Sequence, residues 1–262
     1  MKVRIKMGIS AIIPARNEER TIAGVVSAVL NDVDEVIVVD SYSTDKTGDE
    51  ALKAGARVVK TNIPGKHQAI RLGIIKAKGS DLIFLDADLE FIKPNIARVL
   101  IDSLHSSNTV SIAKGFYTKR NGSNPNDGGR VTELCVRPLI NLLFPRLSSI
   151  RDPLTGEYAV KKKDIEYMYF DPGFAVDLGI LLQCMEIGEV RQVDLGVKYH
   201  KHRDQSELVA TSVEVATTII RATGLGLIDI TQKRFTDRFG IESEISLERL
   251  PPIKTPKYVG YK

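Results

Sequence analysis

Asp86-Ala87-Asp88 closes a short apolar run, Leu82–Leu85. Two carboxylates at alternate positions after a strand project the same way, which suits a divalent cation with oxygen ligands. A Mg2+ or Mn2+ ion held there would bridge a diphosphate and stabilise it as it leaves. A solvated acidic loop is the plain alternative for so short a pair. Other polar residues also stand at the ends of apolar runs. Arg16, Asn17 and Glu18 follow the first run, Asp40, Ser41 and Ser43 the second, and Lys66 lies beyond the third. Carboxylates in those places accept from a base N–H or from ribose hydroxyls, and a lysine answers a base carbonyl or a phosphate. Each residue alone reads equally as a turn residue; four successive strand ends together favour a nucleotide site.

Two further patches carry chemistry. Tyr199-His200-Lys201-His202-Arg203 follows an apolar segment, and His200 and His202 share a face if the chain stays extended. Histidine ligates metals or binds anions, and arginine clamps phosphate; an exposed basic strand end is the alternative. Neither Cys135 nor Cys184 has zinc-ligand spacing to these histidines. In Gly128-Gly129-Arg130-Val131-Thr132, glycines lead into a helix whose first turn holds Arg130 and Thr132. Free backbone N–H groups there make an anion site for a small phosphorylated or carboxylated acceptor, or simply a flexible loop before a helix. Gly65-Lys66 is followed by His67, so no G-x-x-x-x-G-K-[ST] phosphate loop exists. The G-x-G-x-x-G fingerprint and the G-x-S-x-G elbow are missing as well, which disfavours P-loop kinases, nicotinamide enzymes and serine hydrolases.

The elements that must position these groups alternate through the first half. Ile9–Pro14, Glu35–Asp40, Ala56–Lys60 and Leu82–Leu85 read as strands. Asn17-Glu18-Glu19 reads as a helix cap, with Ile22, Val25, Val26, Val29 and Leu30 on one face of the helix it starts. Ala69, Ile70, Ile74 and Ala77 line another helix. Continuous apolar strands between amphipathic helices imply an α/β fold, a mostly parallel sheet covered on both faces. Ligands of such sheets collect beyond the carboxyl ends of the strands. The second half is less regular. Thr109–Phe116 reads as a strand, and Asn121–Gly129 as a flexible loop. The helix from Arg130 carries Val131, Leu134, Cys135, Leu139 and Leu142, with a kink expected at Pro138. Glu157–Val160 and Arg191–His200 are further strands, Ala175–Met185 and residues 206–222 helices, and Pro251–Lys262 an extended arm.

Composition bounds the partners. Of 262 residues, 43% are hydrophobic and 27% charged, which excludes wholesale disorder. Two cysteines exclude a disulfide scaffold, and both are expected reduced and buried. The net charge is +4, and residues 230–262 hold seven Lys and Arg against four Asp and Glu. A broad basic face for nucleic acid is therefore not expected. The apolar stretch after Met1 is broken by Pro14, Arg16 and Glu18, and that at Leu208–Ile230 by Glu214 and Arg221, so no membrane span is expected. A cytoplasmic address fits.

Pro14-Ala15-Arg16-Asn17-Glu18-Glu19, the Val38–Asp45 run and Asp86-Ala87-Asp88 resemble the nucleotide-sugar domain of GT-A glycosyltransferases. The match continues in Gly129-Arg130-Val131-Thr132-Glu133-Leu134, in Arg137-Pro138-Leu139 and in Pro153-Leu154-Thr155-Gly156-Glu157-Tyr158-Ala159. With Leu195-Gly196-Val197, His200 and Arg203 added, the chain resembles the retaining glucosyl-3-phosphoglycerate synthase family from about residue 9 to 222. The resemblance implies a GT-A fold and transfer of glucose from a nucleoside-diphosphate-glucose to 3-phosphoglycerate, with a divalent metal ion, Mg2+ or Mn2+, as cofactor. It implies that Pro14, Ala15, Asn17, Glu18, Ser41 and Lys66 hold base and ribose, that Asp86 lies by the ribose, and that Arg203 meets the diphosphate. Asp88 and His200 would ligate the metal and, with Asp177, form the catalytic set. Leu154 and Asp177 would touch the sugar, and Gly129, Arg130, Thr132 and His202 would receive the acceptor. Asp177 stands where the family pattern has glutamate, Phe174 where it has tyrosine, and His202 where it has asparagine; Tyr42 replaces a small residue in the base-binding turn.

The expected organisation is a nucleotide-sugar half (1–115), an acceptor half (116–229) and a basic tail (230–262) available for dimer contacts in an expected homodimer. Front-face attack, in which a leaving phosphate oxygen takes the acceptor proton, is implied by the family. The rivals are a polyprenyl-phosphate glycosyltransferase, a sugar-phosphate nucleotidyltransferase and a non-catalytic nucleotide-sugar sensor.

Overall fold

The computed structural model describes residues 8–120, 129–198, 205–224, 232–236, 242–246 and 248–254. In the first half, β1 (Ile9–Ala15), β2 (Glu35–Ser41), β3 (Arg57–Thr61) and β4 (Asp81–Phe84) alternate with α1 (Ile22–Val29), α2 (Thr47–Lys53) and α3 (Lys66–Lys76). Then come α4 (Ile96–Leu104), β5 (Val110–Phe116), β6 (Lys119–Arg120), α5 (Arg137–Leu143), β7 (Tyr158–Lys161) and α6 (Lys162–Ile165). They are followed by α7 (Val176–Ile187), β8 (Glu189–Asp194), β9 (Val197–Lys198), α8 (Gln205–Ala222), β10 (Gln232–Thr236) and β11 (Glu242–Ser246).

Seven strands form one sheet in the order β3-β2-β1-β4-β7-β5-β8. Six run the same way; β7 is antiparallel to both β4 and β5. Both faces are covered, as the unbroken apolar runs require. Ile12 and Ile13 point to opposite faces, and each is wholly buried in a separate core. Ile12, Ile70, Ile74, Phe84, Tyr158 and Leu181 belong to the core on one face; Ile13, Val26, Ile83, Leu100 and Ala159 belong to the other.

The antiparallel strand positions the site. Phe84 at the end of β4 registers with Tyr158 at the start of β7. The residues just past β4, Leu85 and Asp86, therefore lie against those just before β7, Glu157 and Gly156. A side chain on Gly156 would have its Cβ 2.1 Å from Asp86 Oδ1, so only glycine lets the carboxylate occupy that place.

Several expectations change. Asn17-Glu18-Glu19 does not cap α1: the helix starts at Ile22 with Thr21 before it, and Asn17 is left-handed at φ 56°. The Glu18 carbonyl accepts from the Thr21 and Ile22 N–H groups, so these residues form a turn that leads into the helix. Leu30 is partly exposed. The helix expected from Arg130 is not regular before Pro138. Thr132–Val136 is a π-helical turn, in which the Arg137 N–H donates to the Thr132 carbonyl, and Pro138 follows at the second position of α5. Leu134 and Leu142 are exposed instead of packed. Cys184 is buried and Cys135 half-buried, and both are free thiols. The strand expected at Arg191–His200 divides at Gly196 (φ 83°) into β8 and β9, and β9 pairs with β6. Beyond α8 the chain makes an antiparallel hairpin, β10–β11, that was not expected. The arm expected from Pro251 is docked at its start, where the Lys254 N–H donates to the Glu166 carbonyl and Phe170 and Leu250 exchange backbone bonds.

Candidate active site

A cleft of about 620 Å3 opens at the carboxyl edge of β1, β2 and β4. Pro14, Ala15, Glu18 and Ser41 line one side, and Lys66, Asp86 and Asp88 another. Seven residues expected from four separate strand ends thus meet in one place. Gly173, Phe174 and Glu214 close the cleft from the second half of the chain.

The wall near β1 and β2 is made of turns. The Asn17 and Glu18 N–H groups donate to Ser43 Oγ (3.0 Å) and Thr47 Oγ1 (2.7 Å). In return the Thr44 N–H donates to Asn17 Oδ1 at 2.8 Å. Asn17 does not appear among the described lining residues; it ties the two turns together. Ser43 receives its own support from Asp40, whose Oδ1 accepts the Ser43 N–H at 3.2 Å.

The floor is ionic. Lys66 Nζ, at the start of α3, is 2.6 Å from Asp86 Oδ1 and 2.6 Å from Asp177 Oδ2. Lys198 Nζ, on β9, is 3.2 Å from Asp86 Oδ2 and 3.5 Å from Glu157 Oε1. Burial works against every one of these charges. The two lysines nevertheless hold Asp86 well below the usual carboxylate range, and Asp177 and Asp86 lift Lys66 above the usual lysine range. Burial wins at the ends of the chain: Asp177 is raised, and Glu157 is pushed up to about 7. Burial opposes the charge of Lys198 too, but Glu157 and then Asp86 raise it, so the charge is retained; Asp86 is the nearer of the two. Lys114, buried in the middle of β5, donates to the Thr155 carbonyl at 2.6 Å and lies 4.7 Å from the centre of the Tyr158 ring. Beside Lys66, His67 Nδ1 accepts the Gly173 N–H at 3.0 Å, and burial lowers its pKa to about 4, so the ring is neutral.

Asp88 differs from its neighbours. Its Oδ1 is buried and has no hydrogen-bond partner among the described residues. A buried carboxylate oxygen left in that state suits a hard cation, so the residue fits the expected metal. No cluster of three His, Cys, Asp or Glu residues able to hold a metal is present among the described residues. His200, expected as the second ligand, lies outside them, as do His202 and Arg203.

The acceptor residues are placed less directly. Thr132 is buried in the π-helical turn, and Arg130 is exposed just before it. That turn packs on α8, which carries Glu214 to the cleft. Gly129, Arg130 and Thr132 are not among the described lining residues. Leu154 is half-buried against the core, and Asp177 lies behind Lys66. Sequence reasoning assigned no role to Glu157, Lys198, His67 or Glu214. An acid beside glycine immediately before an apolar run, and a lysine ending another, were the available signals for the first two.

The fold and cleft define a GT-A glycosyltransferase. Residues 10–147 match the family model described as glycosyl transferase family 2. Glucosyl-3-phosphoglycerate synthase of Mycolicibacterium smegmatis is 34% identical, over 94% of this chain and 89% of its own. The enzyme of that name from Mycobacterium tuberculosis is 35% identical, over 83% of this chain and 74% of its own. A solved structure of the Mycobacterium tuberculosis enzyme with Mn2+, uridine-diphosphate-glucose and phosphoglyceric acid has a TM-score of 0.85 and 34% identity, covering 95% of this chain and 90% of that one. The chain matches the glycosyl transferase family 2 model and belongs to the glucosyl-3-phosphoglycerate synthase family.

Proposed function

We propose that this enzyme moves glucose from a nucleoside-diphosphate-glucose to 3-phosphoglycerate, with retention at the anomeric carbon. The observation that carries the reading is the cleft itself, where an oxygen of Asp88 with no partner among the described residues stands two residues from an Asp86 already clamped by two lysines. Pro14, Ala15, Glu18 and Ser41 receive base and ribose, and Asp86 accepts from ribose hydroxyls. Asp88, with His200, would hold the Mg2+ or Mn2+ ion, which when bound neutralises charge on the departing diphosphate. Arg203 meets that diphosphate, Leu154 and Asp177 the sugar, and Gly129, Arg130, Thr132 and His202 the acceptor.

In the transfer the anomeric carbon–phosphate oxygen bond breaks, and a bond to the acceptor hydroxyl oxygen forms. The acceptor proton passes to a phosphate oxygen of the departing nucleoside diphosphate. Asp177 is poorly disposed as a nucleophile, because it is fully buried with Oδ2 bound by Lys66. That supports front-face attack over a covalent intermediate. The first half of the chain serves the donor and residues 116–229 the acceptor; a homodimer with contacts from residues 230–262 completes the proposal. No described helix is long and apolar enough to cross a membrane, and the phosphorylated small-molecule acceptor fits a cytoplasmic enzyme.

Incubation with Mn2+, a mixed pool of nucleotide-glucose and nucleotide-mannose donors, and 3-phosphoglycerate tests the reading. A glucosylated phosphoglycerate and a free nucleoside diphosphate are expected by mass spectrometry. Product that partitions into organic solvent only when a polyprenyl phosphate is supplied, or release of pyrophosphate, would replace it with one of the rivals. Arg130→Ala should raise the acceptor KM far more than the donor KM, and equal effects would remove the acceptor assignment.

A further inference from the structure

The charged groups of the floor form a line of alternating sign, Asp177–Lys66–Asp86–Lys198–Glu157, drawn from five separate segments. Lys66 and Asp86 line the cleft, whereas Glu157 is 0% exposed at the far end and touches no cleft surface. Its backbone is anchored, because its carbonyl accepts the Gly115 N–H at 2.8 Å. Of its side-chain oxygens, Oε1 faces Lys198 and Oε2 has no hydrogen-bond partner among the described residues.

We propose that Glu157 is a positioning residue for donor binding, acting through Lys198 to fix the carboxylate of Asp86. The inference rests on the nucleotide-sugar reading of the cleft. Lys198 Nζ is shared between two acids, 3.2 Å from Asp86 and 3.5 Å from Glu157, and the balance of these two attractions sets where it stands. Both oxygens of Asp86 are held, Oδ1 by Lys66 and Oδ2 by Lys198. It also has no slack toward β7, where it fills the space of the missing Gly156 side chain. Remove the charge at residue 157 and Lys198 keeps one ion-pair partner among the described residues, Asp86. It then moves fully onto Asp86 and turns that carboxylate away from Lys66, which keeps Asp177. The group that meets the ribose is misplaced, although no atom of Glu157 reaches the ligand.

Full-length Glu157→Gln, which keeps the shape and removes the charge, tests this. Titration with UDP and UDP-glucose in Mn2+ should show roughly tenfold weaker donor binding, the scale of a lost charge-assisted bond. The acceptor KM should stay within about twofold of wild type, as expected for an interaction confined to the donor. Adding Lys198→Met to Glu157→Gln should weaken donor binding no further than Lys198→Met alone, because the two residues act as one unit. Should Glu157→Gln fail to fold, Glu157→Asp reads the same coupling: donor binding weakens, and the longer side chain of Lys198→Arg restores it in that background. An unchanged donor affinity in Glu157→Gln, equal shifts for donor and acceptor, or additive penalties would overturn the inference. Failure of the wild-type enzyme to bind any nucleotide-sugar of the mixed donor pool would overturn the reading of the cleft and this inference together.

Discussion

The two walls of the cleft are built on opposite principles. Near β1 and β2 the wall consists of turns held by side chain–backbone hydrogen bonds, Asn17 to Thr44 and Ser43 to Asn17 at the surface and Thr47 to Glu18 part-buried. At the floor, five acidic and basic side chains from distant segments are paired, and of these Lys66 and Asp86 reach the cleft. Exposed hydrogen-bonded turns tolerate the loss of one member, since water replaces it. A buried ionic chain does not, because each lost partner leaves a charge with no solvent to answer it. The turn wall can therefore adapt to the ligand, while the floor holds a fixed charge pattern against it.

Breaking the floor should have the largest effect. Lys66→Met strands Asp177 and takes one of the two cations from Asp86; a loss of about 3–5 kcal/mol in denaturant unfolding is expected. The loss should grow with pH, because the stranded carboxylate can take up a proton only at low pH. A stability close to wild type would mean that Lys66 is less committed than its two 2.6 Å contacts indicate. Asp88→Ala should separate activity from stability within the same region. Turnover should fall by about 10²–10³-fold, or roughly 3–4 kcal/mol in the barrier, while unfolding changes little, since Asp88 Oδ1 bonds to no described residue. Turnover near wild type would remove the metal assignment.

His67 lies between the two walls and provides a pH test. Its folded pKa of about 4 lies below the unfolded value near 6.5, so the unfolded chain binds more protons between them. Its contribution is fully present above pH 6.5 and is lost as pH falls toward 4, on the order of 3 kcal/mol in all. His67→Gln should flatten the stability profile across that window, and an unchanged slope would count against a neutral buried ring. The turn wall should give the smallest effect. Asn17→Ala loses the bond from the Thr44 N–H and strains a left-handed residue, for about 1–2 kcal/mol. Asn17→Gly should cost less, since glycine adopts φ 56° freely. Equal losses would assign the effect to the hydrogen bond alone.

Some of this site could be read without coordinates. The apolar runs ending in Pro14, Asp40 and Leu85 mark strands, and polar residues after parallel strands collect at one edge, so Glu18, Ser41, Lys66, Asp86 and Asp88 were recognisable as a group. The segment after Asp171-Pro172-Gly173 read as a helix, and it is α7. The turn at Asn17 was misread because an acid-rich start resembles a cap, whereas its hydrogen bonds go to Ser43 and Thr47 on the next turn. The hairpin β10–β11 went unseen because short polar strands such as Gln232–Thr236 and Glu242–Ser246 carry no apolar alternation.

Sequence by itself determined the alternation of strands and helices, the edge at which ligands gather and the acids placed there, since periodicity and turn chemistry act over a few residues. Only the tertiary structure decided that β7 enters antiparallel between β4 and β5, bringing Glu157 and Gly156 against Asp86. It alone brought Lys198 to an acid 112 positions away. Strand order and buried ion pairing depend on which distant surfaces exclude water together, and no local pattern along the chain encodes that.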